Sequence, residues 1–443
     1  MTTKIFITVL LIWFSLETAF AQNINKAKLD SLFDILAAKD KAMGSLIISK
    51  SGTLLYSRTI GYSSISDNEK IAATEKTKYR IGSITKMFTA SMIMQLVEQG
   101  KLNLSTTIDK FFPTLPNANK ITISNLLNHR SGLHNFTDDQ DYLTWMTQSK
   151  TETEMIAIIA KNKVDFEPNE KAVYSNSNYV VLGYILEKIT KQTYQKNLQE
   201  RITSKIGLSN TYASDKTNTN NNESYSYQFN SNWVQLPETD LSIPGGAGCI
   251  ISTPADLTKF IEALFALKLT SKNSLIQMKT ITDGYGMGMF QIPFYNKKAF
   301  GHNGGIDGFA SNLAYFPDDS LTVSYCTNGQ VYPLNDILIG VLSIYFKKDF
   351  VIPTFNSITL KTEDLDVYLG VYSSDKFPLK ITITKDNTTL FAQATGQSSF
   401  PLEAIEKDKF KFDQASVKIH FNSDRHELTM KQRGKEFVFT KDK

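Results

Sequence analysis

Ser83 and Lys86 are the residues of this sequence with the clearest potential for chemistry, at the start of a predicted helix. At this spacing two residues share one helix face. A serine hydroxyl is a poor nucleophile at neutral pH and needs a neighbouring base, and a backbone N–H at a helix start can donate to an oxyanion. The pair predicts a nucleophile with its base, although S-x-x-K also occurs in ordinary exposed helices.

A second candidate group is Tyr174-Ser175-Asn176, which precedes another predicted helix. A tyrosine phenol relays a proton when a nearby ammonium lowers its pKa. An asparagine amide can hold a substrate carbonyl while it also bonds a lysine. Tyr174 and Asn176 are therefore candidate site residues, and the alternative is an ordinary capped helix start.

The third candidate segment is glycine-rich and covers residues 300–309. It contains His302, Asn303, Gly304 and Gly305, and it enters strand-like sequence. Glycines let a substrate backbone lie close to such an edge, where a bare N–H such as that of Gly305 faces a carbonyl oxygen. The alternative is a glycine-rich turn with a surface histidine.

These three patterns occur in a fixed order, and together they resemble the serine β-lactamase and penicillin-binding protein superfamily. The resemblance is to its branch of class C β-lactamases, D-alanyl-D-alanine carboxypeptidases and family VIII esterases. It extends over residues 25–350, with support at residues 126–133, 245–248 and 252–257. The matching stretches are Ser83-x-x-Lys86, Tyr174-x-Asn176 and His302-x-Gly304.

The resemblance implies a role for each residue. Ser83 is expected to attack a carbonyl carbon and form an acyl-enzyme, while Lys86 and Tyr174 accept the proton and pass it to the leaving group. Asn176 is expected to orient the lysine and the substrate. The backbone N–H groups of Ser83 and Gly305 are expected to form the oxyanion hole.

The remaining substrate-binding candidates are His302, Asn303 and Gly304, and two of them depart from the β-lactamase pattern. His302 stands where β-lactamases carry a lysine that attracts the substrate carboxylate, and its charge near pH 7 is not assured. Asn303 replaces the usual Thr or Ser and removes a hydroxyl. These departures favour peptidase or esterase chemistry. His134 is interpreted as a loop residue, because the mechanism needs no further base.

Three functions are weighed. The first is an exported serine hydrolase of the carboxypeptidase or esterase type, acting on D-amino-acid peptides or small acyl esters. The second is a β-lactamase that hydrolyses β-lactam antibiotics. The third is an inactive module that binds cell-wall peptides, although the presence of all four of Ser83, Lys86, Tyr174 and Asn176 argues against decay.

Composition excludes several other classes. The chain has 443 residues with 48 Lys and Arg against 44 Asp and Glu, and this net charge of +4 is too small for a nucleic-acid footprint. Five histidines form no H-E-x-x-H pattern, so no metal and no cofactor are predicted. The expected partner is a small-molecule or peptide acyl substrate. Cys249 and Cys326 allow either one disulfide or two buried thiols.

The N-terminus predicts export. Residues 1–21 contain Lys4, an apolar run at residues 5–16 and a small-x-small end at residues 19–21, which is typical of a cleaved signal peptide. The alternative is an uncleaved anchor, but the run is too short for a span and Glu17 interrupts it. No later apolar stretch reaches transmembrane length, so a secreted or periplasmic location is expected.

The spacing of apolar residues predicts which helices and strands carry these motifs. It predicts a helix containing Leu29 to Leu36, strands at residues 45–49 and 53–59, an amphipathic helix at 84–99, and helices near 178–190, 254–267 and 337–346. Residues 217–233 are predicted to form an exposed loop, and residues 315–326 to be buried strand. Alternating segments at 380–384, 389–394, 416–421, 427–431 and 436–440 predict a small antiparallel β domain.

The resemblance implies an α/β (α+β) fold, with a β-lactamase/transpeptidase-like antiparallel sheet flanked by helices and an all-helical subdomain. The predicted division is a hydrolase domain at 22–350, a linker at 351–362 and a small β-barrel-like domain at 363–443. This last part resembles the lipocalin-like barrels appended to some of these hydrolases.

Overall fold

A computed structural model describes residues 24–66, 68–214, 216–230, 232–355, 358, 360–397, 399–432 and 434–442. The predicted signal peptide at residues 1–21 lies outside these residues. The helices are α1 (Lys26–Ala38), α2 (Thr85–Glu98), α3 (Ile123–Leu127), α4 (Tyr142–Trp145), α5 (Glu152–Lys161), α6 (Asn176–Thr190), α7 (Tyr194–Leu198), α8 (Ser204–Ile206), α9 (Pro254–Phe265), α10 (Lys272–Lys279) and α11 (Leu334–Tyr345).

The strands fall into a main sheet, three small sheets and a barrel. The main sheet uses β1 (Ala42–Lys50), β2 (Thr53–Ile60), β10 (Phe290–Phe294), β11 (Lys297–Ile306), β12 (Phe309–Phe316) and β13 (Leu321–Gln330). The small sheets use β3 (Tyr62–Ile65), β4 (Lys70–Ala72), β5 (Tyr79–Arg80), β6 (Tyr212–Ala213), β7 (Tyr227–Asn230), β8 (Asn232–Gln235) and β9 (Ile250–Ser252).

The main sheet has the order β10-β11-β12-β13-β1-β2, and its neighbouring strands are antiparallel. Its centre joins distant parts of the chain, because β1 pairs with β13 and Leu46 lies opposite Tyr325. Nearly all of β13 is buried, as expected for a strand covered on both faces. The predicted antiparallel sheet flanked by helices is therefore confirmed.

Two apolar clusters hold the helices against this sheet. On one face α1 and α11 pack through Phe33, Leu36 and Val341. The other face supports a larger cluster that includes α2, α6 and α9, with Phe88 stacked on Phe260 at 3.6 Å between ring centroids. The helix predicted at residues 84–99 is present as α2, but it is buried on all sides rather than amphipathic. Core burial of this kind fixes the position of Lys86, which lies on α2.

The C-terminal part is a closed barrel of eight strands within the described residues: β14 (Gly370–Ser374), β15 (Phe377–Asp386), β16 (Thr389–Ala394), β17 (Phe400–Glu406), β18 (Lys409–Phe412), β19 (Val417–Asn422), β20 (Glu427–Gln432) and β21 (Lys435–Lys441). Its interior is filled by buried side chains such as Phe410, Ile419 and Leu428. A 3-10 turn at Thr362–Tyr368 adds Leu365 and Tyr368 to this core. The small β domain is confirmed, and its core is packed with side chains.

A buried ionic cluster joins the barrel to the main sheet. Lys41 bonds Glu403 at 2.7 Å, and Lys411 bonds Asp413 at 3.0 Å. The two ammonium groups lie 5.3 Å and 4.9 Å from the ring centroid of the buried Phe355. Cations at that distance are attracted by the ring face. The predicted linker at 351–362 therefore contains an anchoring residue, while the division into separate domains stays a prediction.

Other expectations need correction. Residues 217–233, predicted as an exposed loop, contain the hairpin strand β7, and the buried Tyr227 hydroxyl accepts a hydrogen bond from the Ile65 N–H. Residues 315–326 belong to two strands joined by a turn at Pro317–Asp319.

Cys249 and Cys326 are both buried, and no disulfide joins them. No helix of the described residues is long and apolar enough to cross a bilayer.

Candidate active site

Ser83 lies on a 3-10 turn, Gly82–Ile84, that runs directly into α2. Gly82 has a φ of +50°, in the left-handed region that glycine adopts without strain. The turn presents the Ser83 side chain to a cleft instead of packing it within the helix bundle. The predicted S-x-x-K spacing therefore places the two side chains together, with the serine one turn before the lysine.

Lys86 is completely buried and its Nζ has three oxygen partners. Nζ lies 2.9 Å from Ser83 Oγ, 2.8 Å from Asn176 Oδ1 and 2.9 Å from the Ala247 carbonyl oxygen. The last two oxygens only accept hydrogen bonds. A neutral amine has two N–H bonds and one lone pair, so donation to Asn176 and Ala247 leaves the lone pair directed at the Ser83 hydroxyl.

Burial holds the pKa of Lys86 well below its ordinary value of 10.5. A low dielectric disfavours the ammonium form, and the partners of Nζ within the described residues include no carboxylate that would offset that cost. The lowered pKa therefore favours the neutral amine, a form that the three oxygen partners of Nζ can accommodate. Such a group is suited to accept the serine proton.

Tyr174 also contacts Ser83, and its hydroxyl donates to Ser83 Oγ at 2.7 Å. Burial raises the pKa of Tyr174 above its ordinary value, and this outweighs the lowering effect of the bond to Ser83. The sequence predicts that a nearby ammonium lowers this pKa, but in the structure burial raises it. Tyr174 is held as a neutral phenol that keeps its proton, so Lys86, with the lone pair of a neutral amine, is the group available to accept the serine proton.

The ring of Tyr174 is supported by His129, whose ring centroid lies 4.5 Å away. His129 Nδ1 accepts the Ser175 backbone N–H at 3.2 Å and lies 3.2 Å from Asn178 Nδ2. Burial and, secondarily, Lys86 hold the pKa of His129 well below its ordinary value. His129 is thus a neutral side chain that packs against the tyrosine.

Asn176 is the first residue of α6, and Ser175 before it makes no capping bond through its side chain. The Asn176 Oδ1 accepts from Lys86, while its Nδ2 donates to Thr137 Oγ1 at 3.2 Å. Its backbone N–H donates to Asn135 Oδ1 at 2.9 Å. The segment at residues 135–137 therefore fixes the amide orientation that the lysine needs.

The glycine-rich segment is strand β11, which lies against the Ser83 turn. A Cβ added to Gly304 would lie 1.9 Å from the Ile81 carbonyl oxygen, so only glycine fits there. Gly305 lines the same cleft as Ser83. Ser311 on β12 donates to the Ile81 oxygen at 2.9 Å and completes the contact. The structure brings the predicted residues Ser83, Gly304 and Gly305 together.

His302 and Asn303 lie on the same strand but make contacts within the fold. His302 is buried, its ring 4.4 Å from Phe290 and 6.2 Å from Tyr174. Burial, with a smaller contribution from Lys86, lowers the pKa of His302 to about 3. The Asn303 Oδ1 accepts from Asn312 Nδ2 at 2.5 Å. The histidine is therefore neutral at physiological pH.

The cleft at Ser83 has a volume of about 490 Å³ and largely apolar walls. Its described lining contains no lysine or arginine, and its one carboxylate, Asp307, is bonded to Thr239 and to Arg80. Leu143, one of the lining residues, is 72% exposed. The apolar walls are formed by Phe136, Tyr142, Leu143, Met146, Leu236, Pro237 and Pro244.

Several site residues escaped the sequence-based prediction. The carbonyl of Ala247 is a backbone group, so no side-chain pattern reveals it, although the glycine-rich stretch at 245–248 marks a place where backbone comes close. Asn135, Thr137 and the cleft wall at α4 carried no recognisable motif. Within the described residues, no group of three or more His, Cys, Asp or Glu side chains is arranged to hold a metal ion.

The fold and this site define a serine hydrolase in which a lysine three residues after the nucleophilic serine contacts the serine hydroxyl. The beta-lactamase family model matches residues 30–338, which is more than half of the chain, and the protein belongs to that family. The resemblance to the serine β-lactamase and penicillin-binding protein superfamily is thereby confirmed.

Curated relatives and solved structures agree with this assignment. The chain is 27% identical to penicillin-binding protein 4* of Bacillus subtilis (strain 168), over 90% of this chain and 94% of that protein. It is 29% identical to the teichoic acid D-alanine hydrolase of Staphylococcus aureus (strain MRSA252), over 61% of this chain and 67% of that protein. The D-amino acid amidase of Ochrobactrum anthropi SV3 shares the fold, with a TM-score of 0.65, 24% identity and coverage of 73% of this chain and 99% of that one.

Proposed function

We propose that this protein is an exported hydrolase that forms an acyl-enzyme at Ser83 and acts on D-amino-acid peptides or amides, or on small acyl esters. The observation that carries the proposal is the pair of contacts to Ser83 Oγ, from Lys86 at 2.9 Å and from Tyr174 at 2.7 Å. The printed names of two relatives, a D-alanine hydrolase and a D-amino acid amidase, support the substrate class.

The first step follows from the protonation states. The Ser83 hydroxyl gives its proton to the Lys86 lone pair as Oγ attacks the acyl carbon, and the Tyr174 hydroxyl holds Oγ in place. The tetrahedral oxyanion then lies at the backbone N–H groups of Ser83 and Gly305. When the intermediate collapses, the proton on Lys86 returns to the leaving group, with the Tyr174 hydroxyl as the relay between them.

Deacylation reverses this proton path. A water molecule takes the place of the leaving group, and Lys86, again neutral, accepts its proton while the water oxygen attacks the acyl carbon. The Tyr174 hydroxyl, 2.7 Å from Ser83 Oγ, can orient that water. The acid is released, Ser83 regains its proton, and the site returns to its starting state.

The cleft favours uncharged groups over carboxylates. Its described lining lacks a cationic side chain, and the neutral His302 replaces the positive charge that would attract a substrate carboxylate. β-Lactams and free peptide C-termini carry that carboxylate, whereas amides and esters do not. We therefore expect amides and esters to be the better substrates, with β-lactams acylating Ser83 slowly.

A substrate panel tests this function. Purified protein is assayed with a D-alanyl amide, the matching D-alanyl-D-alanine peptide, a 4-nitrophenyl ester and a chromogenic cephalosporin, beside Ser83→Ala and the control Ser31→Ala on the exposed part of α1. Wild type and Ser31→Ala should hydrolyse the amide or the ester, and Ser83→Ala should fall to the background rate. Turnover of the cephalosporin alone would instead favour the β-lactamase alternative.

The absence of any covalent adduct is the outcome expected of a cell-wall peptide-binding module. Mass spectrometry of protein incubated with a fluorophosphonate distinguishes the cases, since a hydrolase gains one label at Ser83. Export is tested separately by N-terminal sequencing of the protein from the producing cells. A mature chain that begins at Gln22 supports signal-peptide cleavage, and an intact Met1 contradicts it.

A further inference from the structure

Arg80 is a buried arginine close to the nucleophile, and it makes contacts that the proposed reaction does not use. Its side chain is 1% exposed. One terminal nitrogen lies 2.6 Å from the Thr239 carbonyl oxygen and 3.4 Å from Asp307 Oδ2. The other lies 2.8 Å from Glu238 Oε1. A guanidinium is costly to bury unless acceptors satisfy its donors. Here they satisfy the two terminal nitrogens, while Nε is buried without a hydrogen-bond partner.

Asp307 closes this network from the opposite side. Its Oδ1 accepts from the Thr239 backbone N–H at 3.0 Å and from Thr239 Oγ1 at 2.6 Å. Its carboxylate is fully shielded from solvent, and its φ of +52° lies in the left-handed region. Arg80, Asp307 and Thr239 thus form a closed ring of contacts, which we name the turn clamp.

The turn clamp joins the two segments that carry the expected oxyanion donors. Arg80 stands three residues before Ser83, and Asp307 stands two residues after Gly305. The segments touch between these points, since a Cβ added to Gly82 would lie 2.8 Å from the Gly305 backbone nitrogen. The third member, Thr239, belongs to the cleft wall.

We propose that Arg80 and Asp307 are positioning residues that set the distance and direction of the backbone N–H groups of Ser83 and Gly305. The inference rests on the proposed function, because it concerns the oxyanion hole of that hydrolysis. Neither side chain touches the reacting atoms. The ion pair links the ends of two short segments, and a shift of either segment misdirects one N–H donor.

The effect on rate follows from how an oxyanion hole works. Its donors stabilise charge that develops only in the transition state, and they do so because they are already aimed at it. Loss of one donor in such a hole costs about 10²–10³-fold in rate, so partial misalignment of two donors is expected to cost about 10-fold. Ester hydrolysis is affected through kcat, with little change in KM.

A pair of substrates isolates this effect. 4-Nitrophenyl acetate places oxygen in the hole, while its thiono analogue places sulfur there, which accepts hydrogen bonds weakly and benefits little from the donors. In both reactions Ser83 Oγ bonds the acyl carbon and 4-nitrophenolate leaves. The ratio of kcat/KM for the ester to kcat/KM for the thionoester therefore measures the contribution of the oxyanion-hole donors. The fraction of active enzyme cancels in this ratio.

The variant is Asp307→Asn, because asparagine fits the space and tolerates the left-handed backbone. It should lower the ester rate about 10-fold, leave the thionoester rate nearly unchanged and so reduce the ratio. Arg80→Lys keeps the charge but loses the fork geometry and should give an intermediate ratio. Asp319→Asn is the matched control, since Asp319 bonds Lys297 at 2.7 Å at the far end of β11.

The outcomes separate the clamp from the proposed function. Wild-type ester hydrolysis that Ser83→Ala abolishes establishes the reaction. If Asp307→Asn then lowers both rates in proportion, the clamp is only structural and the inference is overturned. If wild type hydrolyses neither of these substrates nor the D-alanyl amide or peptide, the proposed function is overturned, and the clamp has no oxyanion hole to position.

Discussion

At the scale of single residues, the decisive feature is that no carboxylate among the described residues bonds Ser83, Lys86 or Tyr174. Burial lowers the pKa of Lys86 and raises that of Tyr174, so both side chains are driven toward their uncharged forms. The three partners of Lys86 Nζ then determine the direction of its lone pair. Desolvation, not an ion pair, prepares the base in this protein.

This predicts the pH dependence of hydrolysis. Lys86 accepts a proton only as the neutral amine, which predominates above its lowered pKa, so kcat/KM should fall as pH drops through that pKa. Lys86→Gln should lower kcat/KM about 10²–10⁴-fold, and the fall of kcat/KM at acid pH should disappear in this variant. Steady-state kinetics across pH provide the measurement. A fall of kcat/KM that begins near pH 10.5, the ordinary lysine pKa, would contradict the interpretation of Lys86 as a neutral amine.

A second residue-scale prediction concerns His134, which lies between Asp165 at 2.9 Å and Asp139 at 3.3 Å. Partial burial lowers the pKa of His134, but these carboxylates and Asp138 raise it more, and the net shift is upward. The ion pairs therefore stabilise the fold at pH values below the ordinary pKa. This stabilisation is lost as pH rises through the raised pKa.

The variant His134→Gln tests this, with His420→Gln on the exposed face of β19 as the control. Urea unfolding should show His134→Gln less stable than wild type at pH 5.5 by no more than about 1 kcal/mol, because the pairs are partly exposed and screened. The difference should vanish at alkaline pH. A deficit that is independent of pH would indicate lost packing instead.

At the scale of elements, the contact between β11 and the turn before α2 brings the site together. The close approach of Gly304 to the Ile81 carbonyl leaves no room for a side chain. The bond from Ser311 to the same oxygen fixes the strand laterally. Strand β11 and the turn before α2, which are far apart in the sequence, thereby lie so close that only glycine fits at position 304.

Gly304→Ala should separate these elements. The added Cβ would lie 1.9 Å from the Ile81 oxygen and 2.4 Å from Ser311 Oγ, so strand and turn must move apart. We expect kcat to fall about 10²-fold, as is typical of a small displacement of catalytic groups. Kinetics and a thermal melt are measured together. Wild-type kcat with unchanged melting would show that the contact is not needed.

Much of this arrangement could be predicted from the sequence, because it depends on side chains at short spacing. Ser83 and Lys86 lie on one turn, and the helices α1, α6 and α11 follow their apolar period. The missed features have other physical origins. Strand β17 contains Pro401 and has weak alternation, and the acceptor at Ala247 is a backbone oxygen that leaves no trace in residue type.

Pairs between distant segments also escaped prediction. Arg80 and Asp307 are ordinary surface residue types in a sequence, and only the fold shows that both are buried against Thr239. The same is true of Lys41, whose buried ammonium is compensated by carboxylates that lie more than 360 residues later. Burial of charge depends on tertiary contacts that a periodic pattern does not encode.

At the scale of the whole molecule, the barrel is a packed support attached to the sheet away from the cleft walls. The described cleft lining lies within residues 82–307, before the barrel begins. Phe355, between the ammonium groups of Lys41 and Lys411, is the central contact of the attachment. We therefore expect the barrel to contribute to stability more than to the selection of substrate size.

Phe355→Ala should reveal this division. Removal of a buried phenylalanine costs about 3–5 kcal/mol, so the variant should unfold at lower denaturant concentration than wild type. The ratio of kcat/KM for a small and a large 4-nitrophenyl ester should stay at its wild-type value. Tyr295→Ala, at a ring that is 69% exposed, is the control. A changed ratio would show that the barrel shapes the cleft.

The pairing of β1 with β13 has a consequence for how the chain acquires its structure. The main sheet cannot be completed until residue 330 has been synthesised, although β1 is made near the beginning. Contacts of such long sequence separation slow folding, because the intervening loop must close before they form. The edge of β1 that pairs with β13 therefore stays without its partner strand until most of the chain has been synthesised.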